Sequence, residues 1–289
     1  MSAPQPLRVG VLLDSFTVPA WIFSILDEIQ QSDDARIELV IVNAAAPARR
    51  TMGQRLRNLR HLLLSLYIRA DTRLFGQRAK HDAFAPMDAR PLLQAIPTRR
   101  VNPLQKRWTD RFAAEDVQAV RDARLDVILR FGFRILRGEV LDTARYGVWS
   151  FHHGDNRRYR GGPALFWEMV ERNPLSGTVL QILNEQLDAG RILYRSTAAT
   201  DFNSWFRNRN ATYWKTARFV GRRLRDLRRT GLNELIEAGP AVSGPIYRTP
   251  GNLKMVRFLA QTAWSNLRTQ FENRFLRHQI GRASCRERV

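Results

Sequence analysis

Short apolar runs bounded by turn formers alternate, through the first two hundred positions, with segments whose apolar residues recur at helical spacing. Residues 7–14 (Leu-Arg-Val-Gly-Val-Leu-Leu-Asp) form a compact run that predicts a first strand. Pro19 stands where a helix can begin, and 20–31 carries Trp21, Ile22, Ile25, Leu26 and Ile29 on one helical face. Residues 37–43 (Ile-Glu-Leu-Val-Ile-Val-Asn) predict the next strand. Strand, helix, strand in that order argues a parallel sheet with crossover helices. Further along, a helix is expected over 115–124, a buried strand over 125–132 and a short helix over 135–144. A strand follows over 145–151, a helix over 163–170, and strands over 176–183 and 192–198 about a turn at 187–190. Beyond Asp201 the pattern turns helical and basic over 205–229 and 252–278, with a glycine- and proline-rich linker at 239–251. The fold class is therefore α/β, a mostly parallel sheet with flanking helices and a C-terminal helical segment.

Between Arg49 and Arg100 the periodicity differs. Residues 55–75 read as a basic amphipathic helix with Leu56, Leu59, Leu63 and Leu66 on one face, packed on the sheet or on a partner and not on a membrane. Residues 86–103 read as a loop with a short strand near Arg100 and Val101. No G-x-G-x-x-G follows the first strand, so a dinucleotide site is not supported.

Composition narrows the function classes. With 44% apolar and 26% charged residues in 289, the chain has the makeup of a globular protein with a sizeable core. No apolar run approaches the ~18 residues of a membrane span, and the first residues lack a signal peptide's apolar centre, so a cytoplasmic location is expected. The net charge of +20 invites a nucleic-acid partner. Yet only four of the 47 basic residues are lysines, a skew that GC-rich coding also produces, and the arginines are spread along the whole chain. A solvated or partner-facing basic surface is therefore preferred, nucleic acid is not the expected partner, and an anionic substrate stays open. Residues 280–289 (Ile-Gly-Arg-Ala-Ser-Cys-Arg-Glu-Arg-Val) look like the translation of a sequencing adapter joined to a truncated reading frame. Without them the chain has no cysteine, hence no disulfide, thiolate nucleophile or cysteine metal site, and no metal is expected.

The candidate chemistry lies in 145–161. Val148, Trp149 and Phe151 suit a covered, pleated surface. On that strand Ser150 and His152 share one face, and Trp149 and Phe151 the other. A hydroxyl and an imidazole at a strand's carboxyl end sit where open α/β sheets bind their ligands. His152 also has a plain structural reading as a satisfied structural histidine, and Asp188, the acidic residue of the turn at 187–190, has one as a turn residue before Gly190. His153 is read as loop structure or an acceptor contact.

The ordered pieces Gly132, Arg145-Tyr-Gly147, Ser150-Phe-His152, Tyr159-Arg-Gly161, Pro163, Ser176-Gly-Thr178 and Asp188-Ala-Gly190 carry a more specific signal. From Leu125 through Leu193 the chain resembles the folate-dependent formyltransferases, the family of methionyl-tRNA, glycinamide ribonucleotide and sugar-amine formyltransferases. The resemblance implies a Rossmann-like fold over 1–200; the helical pattern over 201–279, which runs into the adapter-like tail, reads as an extension leading toward a further domain. It implies transfer of the formyl group of 10-formyltetrahydrofolate to a primary amine. His152 then matches the histidine that donates to the oxyanion and relays a proton. Asp188 matches the aspartate that orients the imidazole, and Ser150 stands where the family has asparagine. The folate site would involve Gly132, Phe133, Leu136 and Asp188. The acceptor side would involve Asn156, Arg158, Tyr159, Arg160 and Gly161.

Two departures stand out. Ser150 is shorter than asparagine, and loss of an oxyanion donor typically costs about 10²–10³ in rate. The loop 154–158 (Gly-Asp-Asn-Arg-Arg) is polar where the family is apolar, which points to a changed acceptor, anionic or sugar-linked, met through Arg157, Arg158 and Arg160, or else to solvated loop charge. A formyltetrahydrofolate hydrolase using the same residues on water is the nearest alternative. A weakened folate-binding domain of a longer protein is the other. No RNA-binding barrel is recognisable beyond Asp201, which disfavours a tRNA acceptor.

Overall fold

The strand Leu7–Leu13 (β1) buries both of its faces. Val9, Val11 and Leu13 enter one apolar cluster and Leu12 the other, because successive side chains leave a strand in opposite directions. A computed structural model describes residues 5–46, 58–76, 79–106, 108–237, 245–265 and 267. Around β1 lie Ala35–Asn43 (β2), Thr98–Val101 (β3), Val127–Arg130 (β4), Val148–His152 (β5), Leu175–Ile182 (β6) and Arg191–Ala199 (β7). They form one sheet in the order β7-β6-β5-β4-β1-β2-β3. The five from β3 to β5 run parallel, and β6 and β7 are antiparallel additions. The mostly parallel α/β architecture with flanking helices is thus present.

Helix Ala20–Gln30 (α1) lays Trp21, Ile22, Ile25, Leu26 and Ile29 on one face of the sheet. The other face is covered by Ala114–Asp122 (α2) together with Phe112, Phe133, Val140 and Leu141. The long helix Trp205–Thr230 (α3) packs Ala217, Phe219, Val220, Leu224 and Leu227 into the α1 side of the core. Each such buried aliphatic contributes roughly 1.5–3 kcal/mol. Its amino end is well satisfied. Ser204 accepts the N–H of Arg207 at 3.1 Å, Asp71 Oδ2 that of Phe206 at 2.6 Å, and the Tyr67 hydroxyl that of Trp205 at 3.2 Å. A buried carboxylate facing the positive end of a 26-residue helix is also electrostatically favourable.

Three expectations are corrected. Residues 135–144 do not form a helix: Ile135 and Leu136 pair with Thr109 and Asp110, Gly138 takes φ +83°, and only a 3-10 turn follows at Glu139–Asp142. In the 55–75 segment the helix is Leu62–Asp71, and its buried side is set by Leu64 with Tyr67, Ile68 and Asp71 against Phe166, Trp205 and Phe258. Leu59 and Leu66 are 55% and 50% exposed, and Leu56 lies outside the described residues. A short helix also occupies Arg90–Leu93 where a loop was expected. The expected helix over 252–278 is described over 252–265. Residues 239–244 of the linker and all of 280–289, with Cys285, lie outside the described residues.

Candidate active site

The carboxyl ends of β4 and β5 meet the β6–β7 turn and the loop 153–161 at one edge of the sheet, where open α/β sheets place ligands. The approach is made tight by glycine. A Cβ on Gly132 would collide with the backbone of Leu13 and Asp14, so the chain leaving β4 can lie directly on the end of β1. Asp14 Oδ1 then accepts the N–H of Phe133 at 2.7 Å.

Alternation along β5 sends Trp149 and Phe151 into the α1 side, while Ser150 and His152 face the opposite way. His152 Nδ1 lies 3.3 Å from Asp188 Oδ1, and its Nε2 lies 2.6 Å from the carbonyl of Tyr159. Two ring nitrogens facing two acceptors are satisfied together only by the doubly protonated ring. Burial works against that charge. The Asp188 hydrogen bond and charge, the Tyr159 carbonyl and the nearby Glu168 outweigh it and raise the histidine pKa. Burial likewise pushes the Asp188 carboxyl up, but His152, the N–H of Gly161 and Arg160 hold it below its ordinary value. The two shifts agree on a buried ion pair. Glu168 differs: it is 1% exposed, Oε1 has no hydrogen-bond partner among the described residues, and burial pushes its carboxyl up to about 7.

A cleft of about 120 Å³ opens beside this pair, lined among others by Arg130, Leu136, Arg137, Ser150, Gln181 and Asp188. Ser150 Oγ accepts a hydrogen bond from Arg130 Nη1 at 3.0 Å. Larger surface hollows of about 590 and 750 Å³ lie near α1 and near the amino end of β1, away from these groups.

Of the residues singled out in the sequence, Ser150, Leu136 and Asp188 line the cleft. His152 sits against Asp188, both nitrogens turned onto protein acceptors. Gly132 and Phe133 do not line it: Gly132 serves the close approach to β1, and Phe133 packs on Phe112 in the core. The acceptor-side set forms a clasp around Asp188. Asn156 Nδ2 donates to the Asp188 carbonyl at 3.2 Å, Arg160 Nη2 to the Leu187 carbonyl at 2.6 Å and Gly161 N to Asp188 Oδ2 at 2.9 Å. Tyr159 donates its hydroxyl to Glu171 at 3.1 Å. Arg157 is held by Asp155, and Arg158 is exposed, its guanidinium 5.9 Å from the Tyr159 ring centre. His153, one residue on, is core: its ring stacks on Tyr213 at 3.6 Å.

Arg130, Glu168 and Gln181 were not picked out from the sequence. A signal existed for Arg130, a cation closing the apolar run Val127 to Leu129; Glu168 and Gln181 offered none. Among the described residues no group of three or more His, Cys, Asp or Glu is arranged to hold a metal, and no helix is long and apolar enough to cross a membrane.

Comparison with known proteins gives a partial but consistent result. No family model matches. A methionyl-tRNA formyltransferase of Chlorobium limicola is 31% identical over 97 residues, which cover 33% of this chain and 30% of that protein. The chain thus matches under a third of that relative's length. Among solved structures, glycinamide ribonucleotide transformylase 1 of Symbiobacterium toebii superposes with a TM-score of 0.54 at 14% identity, over 83% of this chain and 95% of that one. A formyltetrahydrofolate deformylase of Pseudomonas syringae pv. tomato does so at 0.53 and 17%, over 84% and 67%.

Proposed function

For a chain that has the formyltransferase fold and shares local sequence with methionyl-tRNA formyltransferases, we propose an enzyme that moves the formyl group of 10-formyltetrahydrofolate to a primary amine. The observation that carries this reading is the His152–Asp188 pair at the strand tips, 3.3 Å between Nδ1 and Oδ1, beside a cleft lined by Ser150 and Leu136. Formyl transfer needs a donor for the oxyanion that forms when the amine attacks, and a group that moves a proton from the amine to N10 of the folate. An imidazolium held by a carboxylate supplies both a charge-assisted donor and a transferable proton. In the present arrangement His152 Nε2 is spent on the Tyr159 carbonyl, so the loop 154–161 must shift for that nitrogen to reach a substrate. A cleft of about 120 Å³ is below the ~300–1,000 Å³ that engulf drug-sized ligands. It would therefore take the formyl-bearing end of the folate and leave the rest along the surface.

The acceptor is a small amine in this reading. The clasp is the observation that favours a second reading, because Asn156, Arg160 and Gly161 are committed to the turn around Asp188 and leave Arg158 as the outward member of the set. With water as nucleophile the same groups would release formate. The test is turnover of 10-formyltetrahydrofolate with a panel of sugar and nucleotide amines, following tetrahydrofolate, formylated amine and formate. Formylated amine supports transfer, and formate without amine assigns hydrolysis. Folate binding with neither product overturns the enzymatic reading and leaves a binding domain. Anionic amines in the same panel test the anionic acceptor.

A further inference from the structure

The Ser150 hydroxyl is a hydrogen-bond acceptor toward Arg130, because a guanidinium has donors only. Its own O–H is then left to donate, and it meets the Phe151 carbonyl only at a long 3.4 Å. Arg130 is pinned at the end of β4. Nε donates to the Arg134 carbonyl at 3.2 Å, and Nη2 donates to the carbonyls of Phe133 at 3.0 Å and Arg134 at 2.7 Å. With the Ser150 bond, these use four of the five guanidinium N–H groups, which leaves one on Nη1. Both residues line the cleft, next to Asp188 and Gln181. Burial holds the guanidinium pKa below its ordinary value, and the fields of Asp14, Asp188 and Asp110 oppose that and favour the charged form.

We propose that Arg130 and Ser150 act as one oxyanion donor, the guanidinium holding and polarising the hydroxyl whose O–H is directed to the formyl oxygen, so that a fixed cation restores what the short side chain at 150 lacks. The inference rests on the formyl-transfer reading and adds a second donor to the one His152 supplies there. The acceptor nitrogen bonds to the formyl carbon, and the oxygen carries the negative charge beside Ser150 and Arg130. The bond from that carbon to N10 then breaks, and the amine's proton ends on N10. The pair gains and loses no proton over the cycle, and a donor that keeps its charge at every working pH adds no limb to the pH profile.

The test uses the whole chain, 10-formyltetrahydrofolate and the nucleophile, amine or water, that the wild type turns over. Ser150→Ala and Arg130→Met should each lower kcat about 10²–10³-fold, with the KM for the folate changed less than about threefold. The double variant should be no slower than the slower single, as for two parts of one device. The losses should be equal at pH 6 and pH 9. A kcat for Ser150→Ala within about threefold of wild type, multiplicative losses in the double, or a loss carried by KM would overturn the proposal while the formyl-transfer reading stands. A wild type that releases neither product brings down that reading itself. Ser150→Ala removes one oxygen from the cleft lining, so it keeps the test decisive if Arg130→Met does not fold.

Discussion

On one side of the tip of β5, His152 is gripped by a carboxylate and a carbonyl. On the other, one residue later, His153 lies in a stack of rings: Tyr213 at 3.6 Å, Phe151 at 5.5 Å, and the edge of Trp21 at 5.6 Å. Both are buried, at 8% and 9% exposure, so depth does not distinguish them. Their neighbours do. Burial discourages the charge on each, but only His152 has Asp188 to reverse the balance. His153 has burial, the positive His152 and Arg209 all acting in one direction, and its pKa falls well below the ordinary value. The strand's alternation sorts two identical side chains into a proton-holding role and a packing role.

The largest expected separation between the two sides is catalytic. His152→Gln should cut turnover of 10-formyltetrahydrofolate by about 10²–10⁴-fold, the usual worth of a positioned acid or base, whereas His153→Phe should keep kcat within about threefold. Equal losses in the two variants would remove the distinction. Next comes stability. Asp188→Ala leaves a buried imidazolium alone and should cost about 3–5 kcal/mol in urea unfolding, much of it recovered when His152→Gln is added. If the double variant is as unstable as the single, the carboxylate supports the clasp and not the charge.

Proton linkage gives the third separation. A histidine whose pKa is raised on folding contributes stability that is complete below its ordinary 6.5 and is lost as pH rises through the raised value. Asp188, lowered from 3.8, contributes above that value and loses it as pH falls further. His153 runs against its neighbour: the unfolded chain takes up a proton that the fold refuses, so stability falls as pH drops below 6.5 toward the lowered value. Unfolding free energies from pH 5 to 9 should show His153→Phe flattening the acid side and Asp188→Asn the alkaline side. Each changes the slope by at most about 1.4 kcal/mol per pH unit, the worth of one proton. The smallest effect belongs to Glu168, whose carboxyl is raised to about 7 and so weakens the fold as pH rises through that point. Glu168→Gln should become relatively more stable at pH 8 than at pH 6, and should move the His152 limb of the rate profile to lower pH. An unmoved limb would show that Glu168 does not act on His152.

The sheet and the site were legible to different depths. Helix α3 was read to within one residue of its observed end, because Ser204 before it and Gly231 after it are local signals. Six of the seven strands of the sheet follow from their apolar runs, with ends off by up to three residues, while Thr98–Val101 has no such run and is read only as a short strand near Arg100 and Val101. The segment 135–144 misled because Ile135 and Leu136 follow a partner at 109–110 that no local window contains. The His152–Asp188 juxtaposition came through a family likeness of ordered pieces, not from spacing. Arg130 reaches Ser150 across twenty positions and the Tyr159 carbonyl meets a ring seven residues back, contacts that depend on how strands and loop are stacked. Side-chain type can announce a charged group. It does not announce what that group will face.

Helix α3 follows the sheet in chain order, yet its apolar stripe seals the flank that α1 leaves partly open, and its first turn is held by Asp71 and Tyr67 from far upstream. Such an arrangement makes it a wall and not an annex. Any shortened version for expression or crystallisation should run past Gly231, since a chain stopped near Thr200 would present the apolar faces of α1, β6 and β7 that α3 covers to water, and would precipitate before its chemistry was ever assayed.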